Sequence, residues 1–332
     1  MHPVKNIIIR LPNWLGDLVM STAFVKAVQV EYPHAVIDLI TKKGIDLLLD
    51  YFPPHVQRFV FDKSANKGIS GAWSYGRWLR KQKKYDLFFC LPDSMSSAIM
   101  AKATGAKKIV GFKKELRSAL LTHSYTRQKN LHRVEEYINL LQQFTKKNID
   151  VPAVELLQQK KDRKNSVVIN INSEASSRRL PFSKAVSIIN TIRQSISSEI
   201  ILVGSVKEKE MVDDVYNALI NKTAVQNVAG KTSLQQLIEL LGTSTVVLTT
   251  DSGPAHVSNA LHTHTVVLFG AGNENNTAPY NKNNRTIIRL GKLNCEPCTS
   301  NTCKLYGVPE CLLQLDEIKI AAILSDTLNS QQ

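Results

Sequence analysis

Residues 10–17, Arg-Leu-Pro-Asn-Trp-Leu-Gly-Asp, form a turn between a short apolar run, Lys5–Arg10, and a helical pattern from Asp17 to about Glu31. A glycine followed by a carboxylate at a helix start, on the carboxyl edge of a first strand, sets Asp17 at the mouth of a ligand crevice. A carboxylate there can take a proton from an attacking hydroxyl, or it can simply cap the helix. A second turn, Thr249-Thr250-Asp251-Ser252-Gly253-Pro254-Ala255-His256, follows an apolar strand and opens another helix. Gly253 lets backbone approach an anion, Pro254 suits the first helical position, and Ser252, His256 and the first-turn amides can hold a pyrophosphate without a metal. A histidine satisfied inside the structure is the alternative for His256. Between a strand and a helix stands Ser176-Ser177-Arg178-Arg179-Leu180-Pro181. Paired arginines beside hydroxyls bind phosphate, unless they are a solvated surface pair. Glu208, early in the helix after Gly204, can accept ribose hydroxyls or complement the helix dipole.

Four of the five cysteines fall close together, at Cys295, Cys298, Cys303 and Cys311. Four thiols can make a tetrahedral zinc site, but the double Cys-x2-Cys of a zinc ribbon is missing, and locally packed free thiols are the alternative. Cys90 ends an apolar run and reads as core. The turn after the first strand lacks Gly-x-Gly-x-x-Gly, which argues against a nicotinamide-dependent oxidoreductase.

These residues need a frame, and the chain is long enough for two domains at roughly 100–200 residues each. It has 332 residues, 43% of them hydrophobic, with only 15 Gly and 12 Pro, which excludes a disordered or collagen-like chain. No apolar window is long enough for a transmembrane helix, and Arg10 and Asp17 interrupt the first apolar run too early for a secretory signal. A cytosolic protein is expected. Lys and Arg number 42 against 28 Asp and Glu, a formal charge of +14. Residues 77–133 hold 14 of those cations against Asp86, Asp93 and Glu115, a net +11. Such an excess is the footprint of a polyanion partner or a solvated basic face. Nucleic acid is disfavoured because the segment has few interleaved aromatics and no recognition motif.

Strands are expected at Lys5–Arg10, Ala35–Thr41, Val56–Phe61, Tyr85–Cys90 and Lys107–Val110, with helical periodicity between them and a helix over Arg133–Phe144. Residues 146–165 turn polar and lysine-rich, with Lys160 and Lys161, and mark a domain boundary. The second series has strands at Ser166–Ile171, Glu199–Val203, Ala224–Val228, Thr245–Thr249 and Thr265–Phe269. Its helices are expected at Ser183–Arg193, Lys207–Ile220, Leu234–Leu241 and Ala255–Leu261. Buried apolar strands alternating with helices mean parallel sheets. The fold class is therefore α/β: two Rossmann-like doubly wound domains, residues 1–155 and 165–315, facing a cleft. A closing amphipathic helix, within 316–332, is expected to pack back across the linker on the N-terminal domain.

Residues 6–21 resemble the opening of the ADP-heptose:lipopolysaccharide heptosyltransferases, glycosyltransferase family nine. The resemblance continues at Leu91-Pro-Asp-Ser-Met-Ser-Ser-Ala, from Gly105 to Gly111-Phe112, and at His132-Arg-Val-Glu-Glu-Tyr. It runs on through Arg178-Arg179-Leu180-Pro181, Asp251-Ser-Gly-Pro-Ala-His256 and the Cys-x-Pro-Cys at 295–298. It implies a GT-B fold with an N-terminal acceptor domain and a C-terminal nucleotide-sugar domain. It also implies inverting transfer of heptose from ADP-heptose to the lipopolysaccharide inner core, with no metal or other cofactor required. By position, Asp17 matches the base, Arg178 with Arg179 the basic residues at the donor phosphates, and Glu208 an acid near the ribose. Asp251, Ser252, Gly253 and His256 match the ADP-binding turn. The basic segment then lies in the acceptor domain, where Lys107, Lys113, Lys114, Arg117 and Arg133 are expected to meet a phosphorylated glycolipid. That acceptor places the enzyme at the anionic cytoplasmic face of the inner membrane. The family's Lys-Arg-Trp-Pro pattern is Arg-Arg-Leu-Pro here, and its Pro-Gly-Ala is replaced by Asn172-Ser173-Glu174-Ala175, so a different nucleotide sugar or acceptor is the nearest alternative. A non-catalytic polyanion-binding protein is the alternative from another class.

Overall fold

A computed structural model describes residues 4–54, 57–158 and 162–330. The chain separates into two compact units, residues 1–157 and 158–332. Lys160 and Lys161 of the polar stretch, and Val56 of an expected strand, lie outside the described residues.

The first unit runs β1 (Asn6–Arg10), α1 (Leu15–Met20), α2 (Thr22–Glu31), β2 (Val36–Lys42), β3 (Gln57–Phe61), α3 (Gly68–Gln82), β4 (Leu87–Cys90), α4 (Met95–Ala103), β5 (Lys108–Phe112), β6 (His123–Tyr125) and α5 (Arg133–Thr145). The second runs β7 (Lys164–Asn170), α6 (Phe182–Ser195), β8 (Glu199–Val203), α7 (Lys209–Asn217), β9 (Val225–Asn227), α8 (Leu234–Thr243), β10 (Ser244–Thr250) and α9 (Gly253–Ala260). It ends with β11 (His264–Phe269), α10 (Glu274–Thr277), β12 (Arg285–Arg289), α11 (Glu310–Leu313) and α12 (Glu317–Ser330).

Among the described residues each unit holds one six-stranded sheet, ordered β3-β2-β1-β4-β5-β6 and β12-β11-β10-β7-β8-β9. All recorded pairings are parallel. Counted along its own chain, each unit therefore has the same doubly wound order. That order reverses between β1 and β4 in the first unit, and between β7 and β10 in the second. A crevice opens outside the carboxyl ends of those strands, because their following connections leave toward opposite faces.

The central strands are covered on both faces, so their apolar runs do not alternate. Ile7, Ile8 and Ile9 are all fully buried, and β10 is buried at every position. At the edge, β3 alternates, with Phe59 and Phe61 inside and Val60 outside. Of the outermost strands, β6 is three residues of His-Ser-Tyr and β12 holds only Ile287-Ile288 between polar residues, which left no apolar run of greater length to read. The helix expected over Lys207–Ile220 begins instead as a 3-10 turn, Val206–Glu208, and α7 ends at Asn217.

The polar stretch before the boundary is docked on the first unit. Val154 and Leu156 are buried, and the Leu157 N–H donates to Tyr51 O at 2.7 Å. The closing helix differs from expectation. Its apolar face, Ile320, Ala321, Leu324 and Leu328, joins the second unit's own core with Ile188, Ile189 and Ile192 of α6. Lys184 Nζ on α6 fastens its start, meeting Glu317 Oε2 and Leu315 O at 2.8 Å each. An amphipathic helix has one apolar stripe, and α6 already covers it.

Candidate active site

In the first unit, the turn after β1 is organised by Arg10, whose guanidinium is buried. Nη1 donates to Leu11 O at 2.5 Å and Nη2 to Asn13 Oδ1 at 2.5 Å. Burial lowers this guanidinium to about 10. Trp14 starts α1, and Asp17 sits within its first turn rather than capping it. The Asp17 carboxylate faces Arg133, with Oδ1 3.5 Å from Nε. Arg133 is the first residue of α5, held there by a cap: the Val134 N–H donates to His132 Nδ1 and the His132 N–H to Glu135 Oε2.

From Arg133 the charges alternate. Its Nη1 meets Glu136 Oε2 at 2.7 Å, and Glu136 also accepts from Arg127. Arg127 Nη2 reaches Asp93 Oδ2 at 2.8 Å, while its guanidinium lies 4.2 Å above the Phe112 ring. Asp93 follows β4, directly across the strand-order reversal from Asp17. Beneath this row the Tyr137 phenol is raised well above its ordinary value by burial and by the negative charge of Asp17. Trp14, 58% exposed, stands on the same edge with the Lys42 ammonium 5.9 Å from its ring centre.

The expected acceptor residues separate into three groups. Lys113 and Lys114 follow β5 on the carboxyl edge and are exposed, and Arg133 contacts Asp17. Lys107 precedes β5, so it lies at the opposite edge, where it pairs with Asp86 at 2.7 Å. A parallel strand separates its two ends, so Lys107 does not belong with Asp17. Arg117 is 2% exposed and donates to Phe112 O at 2.5 Å, Pro92 O at 3.1 Å and Cys90 Sγ at 3.3 Å. Its hydrogen bonds serve the fold, and its charge reaches the site only from beneath, through Asp93 Oδ1 at 4.0 Å.

In the second unit, the ends of β7 and β10 are laced together across the reversal. Asn170 Nδ2 donates to Thr249 Oγ1 at 3.1 Å and Ser252 Oγ at 2.9 Å. Ser173 Oγ donates to Asp251 O at 3.1 Å, and Thr250 Oγ1 to Asn172 O at 2.5 Å. Asp251 is 4% exposed, and its Oδ2 lies 3.3 Å from Arg178 Nη1. A Cβ at Gly272 would sit 2.1 Å from that oxygen, so only glycine leaves the carboxylate its place. Arg178 Nε is buried with no hydrogen-bond partner.

Several predicted contacts are used internally. Ser252 Oγ is bonded to Thr250 O and Thr249 Oγ1 at 3.1 Å each, which takes the hydroxyl inward. The hydroxyls beside the paired arginines donate to backbone, Ser176 to Asn301 O and Ser177 to Ser300 O. Arg179 Nη2 donates to Ser173 O at 3.0 Å. Glu208 Oε2 accepts from the Ser205 N–H at 2.7 Å, closing a capping box. Gly253 opens α9 with Pro254 behind it, and His256 is buried on the same helix.

The four clustered cysteines line one cavity behind the Ser177 turn, with Glu296 and Glu310. Among the described residues no group of three or more His, Cys, Asp or Glu side chains is arranged to hold a metal ion, so the zinc geometry that the spacing allows is not formed. Cys311 is buried and its thiol is pushed up to about 11, by burial first and then by Glu296 and the neighbouring thiols. Cys90 is buried in the first unit's core, as its place at a strand end implies.

The sequence reading missed Arg10, Asp93, Arg127, Glu136 and Trp14. For Asp93 a signal was present, since an acid three residues beyond an apolar strand lands on the carboxyl edge. Glu136 lies within the His132-Arg-Val-Glu-Glu-Tyr motif, which gave it no role, and Arg127 carries no local mark.

The chain is 27% identical over 302 residues to lipopolysaccharide heptosyltransferase 2 of Escherichia coli, an alignment covering 84% of this chain and 86% of that protein. It is 26% identical over 308 residues to lipooligosaccharide heptosyltransferase 2 of Campylobacter jejuni, covering 90% and 92%. The solved structure of E. coli ADP-heptose LPS heptosyltransferase II superposes with a TM-score of 0.82 at 22% identity, over 98% of this chain and 99% of that one. The two doubly wound units thus have the GT-B type of fold. Residues 72–308 match the family model of glycosyltransferase family 9 (heptosyltransferase), and this chain, a glycosyltransferase, belongs to that family.

Proposed function

We propose that this enzyme transfers a heptose from ADP-heptose to the inner core of lipopolysaccharide, with inversion and without a metal ion. The observation that carries the reading is the placement of the candidate residues. Asp17 follows β1, Arg178 follows β7, and Asp251, Ser252, Gly253 and His256 follow β10, at the carboxyl ends of strands where sheet order reverses and where doubly wound folds bind their ligands. The donor belongs to the second unit and the acceptor to the first. The E. coli protein whose fold this chain shares bears ADP-heptose in its name, which supports that nucleotide sugar here.

In this mechanism the acceptor hydroxyl attacks C1 of the heptose as the C1–O bond to the diphosphate breaks, and ADP leaves with the bonding electrons. Asp17 accepts the hydroxyl proton. One displacement inverts C1. Arg178, oriented by Asp251, and His256 supply positive charge and hydrogen bonds to the departing diphosphate. At the tip of α9, Pro254 brings no N–H and the Ala255 N–H closes on Ser252 O at 3.1 Å. The amide that a phosphate oxygen meets there is that of Gly253. Arg179 and Glu208 position the loops, and the second oxygen of Glu208 faces the ribose. Lys113, Lys114 and Arg133 meet the phosphorylated acceptor, and Trp14 offers an aromatic face to its sugar. Such an acceptor is a membrane lipid, so the enzyme works at the anionic cytoplasmic surface of the inner membrane. No helix among the described residues is long and apolar enough to cross that membrane.

The test is ADP release from ADP-heptose on a heptose-free lipopolysaccharide core, in the presence of EDTA, with the product anomer read by NMR. Transfer with inversion, persisting in EDTA and lost in Asp17→Asn, is the expected result. Retention at C1, or activity restored only by a divalent metal, overturns the mechanism; transfer only from another nucleotide sugar overturns the donor.

A further inference from the structure

Residues 63–84 carry Lys63, Lys67, Arg77, Arg80, Lys81, Lys83 and Lys84 without a single Asp or Glu. Most of this stretch is α3. One face of α3 is committed to the fold: Ala72, Tyr75, Gly76 and Leu79 are buried. At Gly76 an added Cβ would lie 2.3 Å from Met100 O, so α3 and α4 pack backbone to backbone. Lys83 is committed too, to buried Asp38 at 2.6 Å.

The opposite face is unusual. Ile69 is 62% and Trp73 44% exposed, whereas Trp78, 45% exposed, lies on the other flank with its ring against Phe59 and Tyr75. Ile69, Trp73, Arg77 and Lys81 follow one another at four-residue steps, so apolar and basic groups share one ridge. An exposed indole and isoleucine followed by arginine and lysine on a helix already packed on its other side are the composition of an interfacial helix, in which rings sit at headgroup level and cations meet lipid phosphates.

We infer that the outer face of α3 docks this enzyme on an anionic lipid bilayer. Charge selects the occupant: an acid-free basic face repels a second copy of itself, and Ile69 and Trp73 match acyl chains better than a nucleic-acid backbone. Topology makes the docking useful. Strand β3 runs to the carboxyl edge of the sheet and α3 returns from it, so the Ile69–Trp73 end lies toward the edge that bears Asp17. A lipid-linked acceptor held in that bilayer is then presented to that edge. This deepens the membrane part of the proposed function, and its failure would leave the transfer chemistry standing.

The test uses the full chain and vesicles of phosphatidylcholine alone or with phosphatidylglycerol, by co-sedimentation at low salt. Binding is expected only with phosphatidylglycerol, with a blue shift of tryptophan emission. Ile69→Ser with Trp73→Ser should abolish the shift and lower partitioning at least about tenfold. Arg77→Gln with Lys81→Gln should lower it about thirtyfold, from about 1 kcal/mol per cation. These positions are exposed, so thermal melting and transfer to a detergent-dispersed acceptor should be unchanged. Equal binding to both vesicle types, or binding indifferent to all four substitutions, overturns the proposal. So does a duplex DNA or a self-dimer that responds to these substitutions while vesicles do not.

Discussion

Arg117 offers the sharpest test of which basic residues belong to the substrate. Its guanidinium is fully buried, so replacing it with methionine keeps the stem and most of the volume and opens little cavity. What is lost is three hydrogen bonds, to Phe112 O, Pro92 O and Cys90 Sγ, and a long ion pair to Asp93 at 4.0 Å. The buried Phe112 carbonyl loses this donor at a cost of about 1–3 kcal/mol, while Pro92 O keeps the Ser97 hydroxyl at 3.1 Å and loses less; the sum is partly offset because a charge no longer has to be desolvated. We expect a net loss of about 2–3 kcal/mol, which for a unit of this size lowers the melting transition by about 5–10 °C. Differential scanning calorimetry of Arg117→Met reads that shift, and steady-state assays at a permissive temperature read the acceptor KM, which should stay near that of the parent enzyme. An unchanged melting transition together with an acceptor KM raised tenfold or more would refute the reasoning, because it would mean that Arg117 reaches substrate rather than the carbonyls beneath it.

Four further outcomes follow from the same geometry. Asp17→Asn should keep ADP affinity in calorimetric titration yet lose about 10²–10⁴-fold in turnover, as expected for removal of a general base. Arg178→Ala should raise the ADP dissociation constant about tenfold to a hundredfold, the range of a hydrogen bond to a charged group; Asp251→Asn should raise it less, since the arginine remains but is no longer aimed. Lys107→Ala, at the opposite sheet edge, should leave kcat and acceptor KM unchanged, and a raised KM would return it to the acceptor site. Alkylation at pH 8, followed by peptide mass spectrometry, should label exposed Cys298 first. Cys311, held protonated until about pH 11, and Cys90, also raised by burial, should react last, and Cys311 should gain reactivity only as the pH approaches 11.

The doubly wound frame was legible because its central strands are uninterrupted apolar runs: Ile7-Ile8-Ile9 has no other use than a sheet covered on both faces. Two of the four edge strands, β6 and β12, were not, since each answers to one neighbour and to solvent and has at most two adjacent aliphatic residues. At the site, turn chemistry placed Asp17, Arg178 and Asp251 at strand ends, because glycine, proline and carboxylates around a strand-to-helix turn carry positional meaning locally. The state of the charges was not local. The net +11 over residues 77–133 treats every cation there as available, yet Arg133 is matched by Asp17 and Glu136, and both acids lie outside that window. Arg127 shares Glu136, and Arg117 is consumed beneath the sheet edge. Ion pairs made by tertiary contact leave no trace in a window of sequence. The basic residues left on the surface include those of α3 and the Lys113–Lys114 turn, with Lys102, Lys108 and Lys129.

The two strand-order reversals hold the same device put to different uses. In each, a carboxylate from a strand-to-helix turn stands beside an arginine, at 3.5 Å for Asp17 and Arg133 and 3.3 Å for Asp251 and Arg178. The arginines are alike in exposure, 31% and 28%, but the Asp17 side chain is 26% exposed and that of Asp251 only 5%. A proton can be exchanged with a bound hydroxyl only by a carboxylate that the hydroxyl can reach. A buried carboxylate, walled by Gly272, can act only through its partner, by fixing where the guanidinium points. The neighbours of each arginine agree with this division. Arg133 also answers to Glu136, so its charge is shared and Asp17 is held in place without being neutralised by a dedicated cation. Arg178 is oriented by Asp251 while its side chain is 28% exposed, which suits a group whose second partner is a diphosphate. Solvent access, more than residue type or separation, is therefore the ground on which Asp17 is proposed as the base and Asp251 as the residue that aims a phosphate ligand.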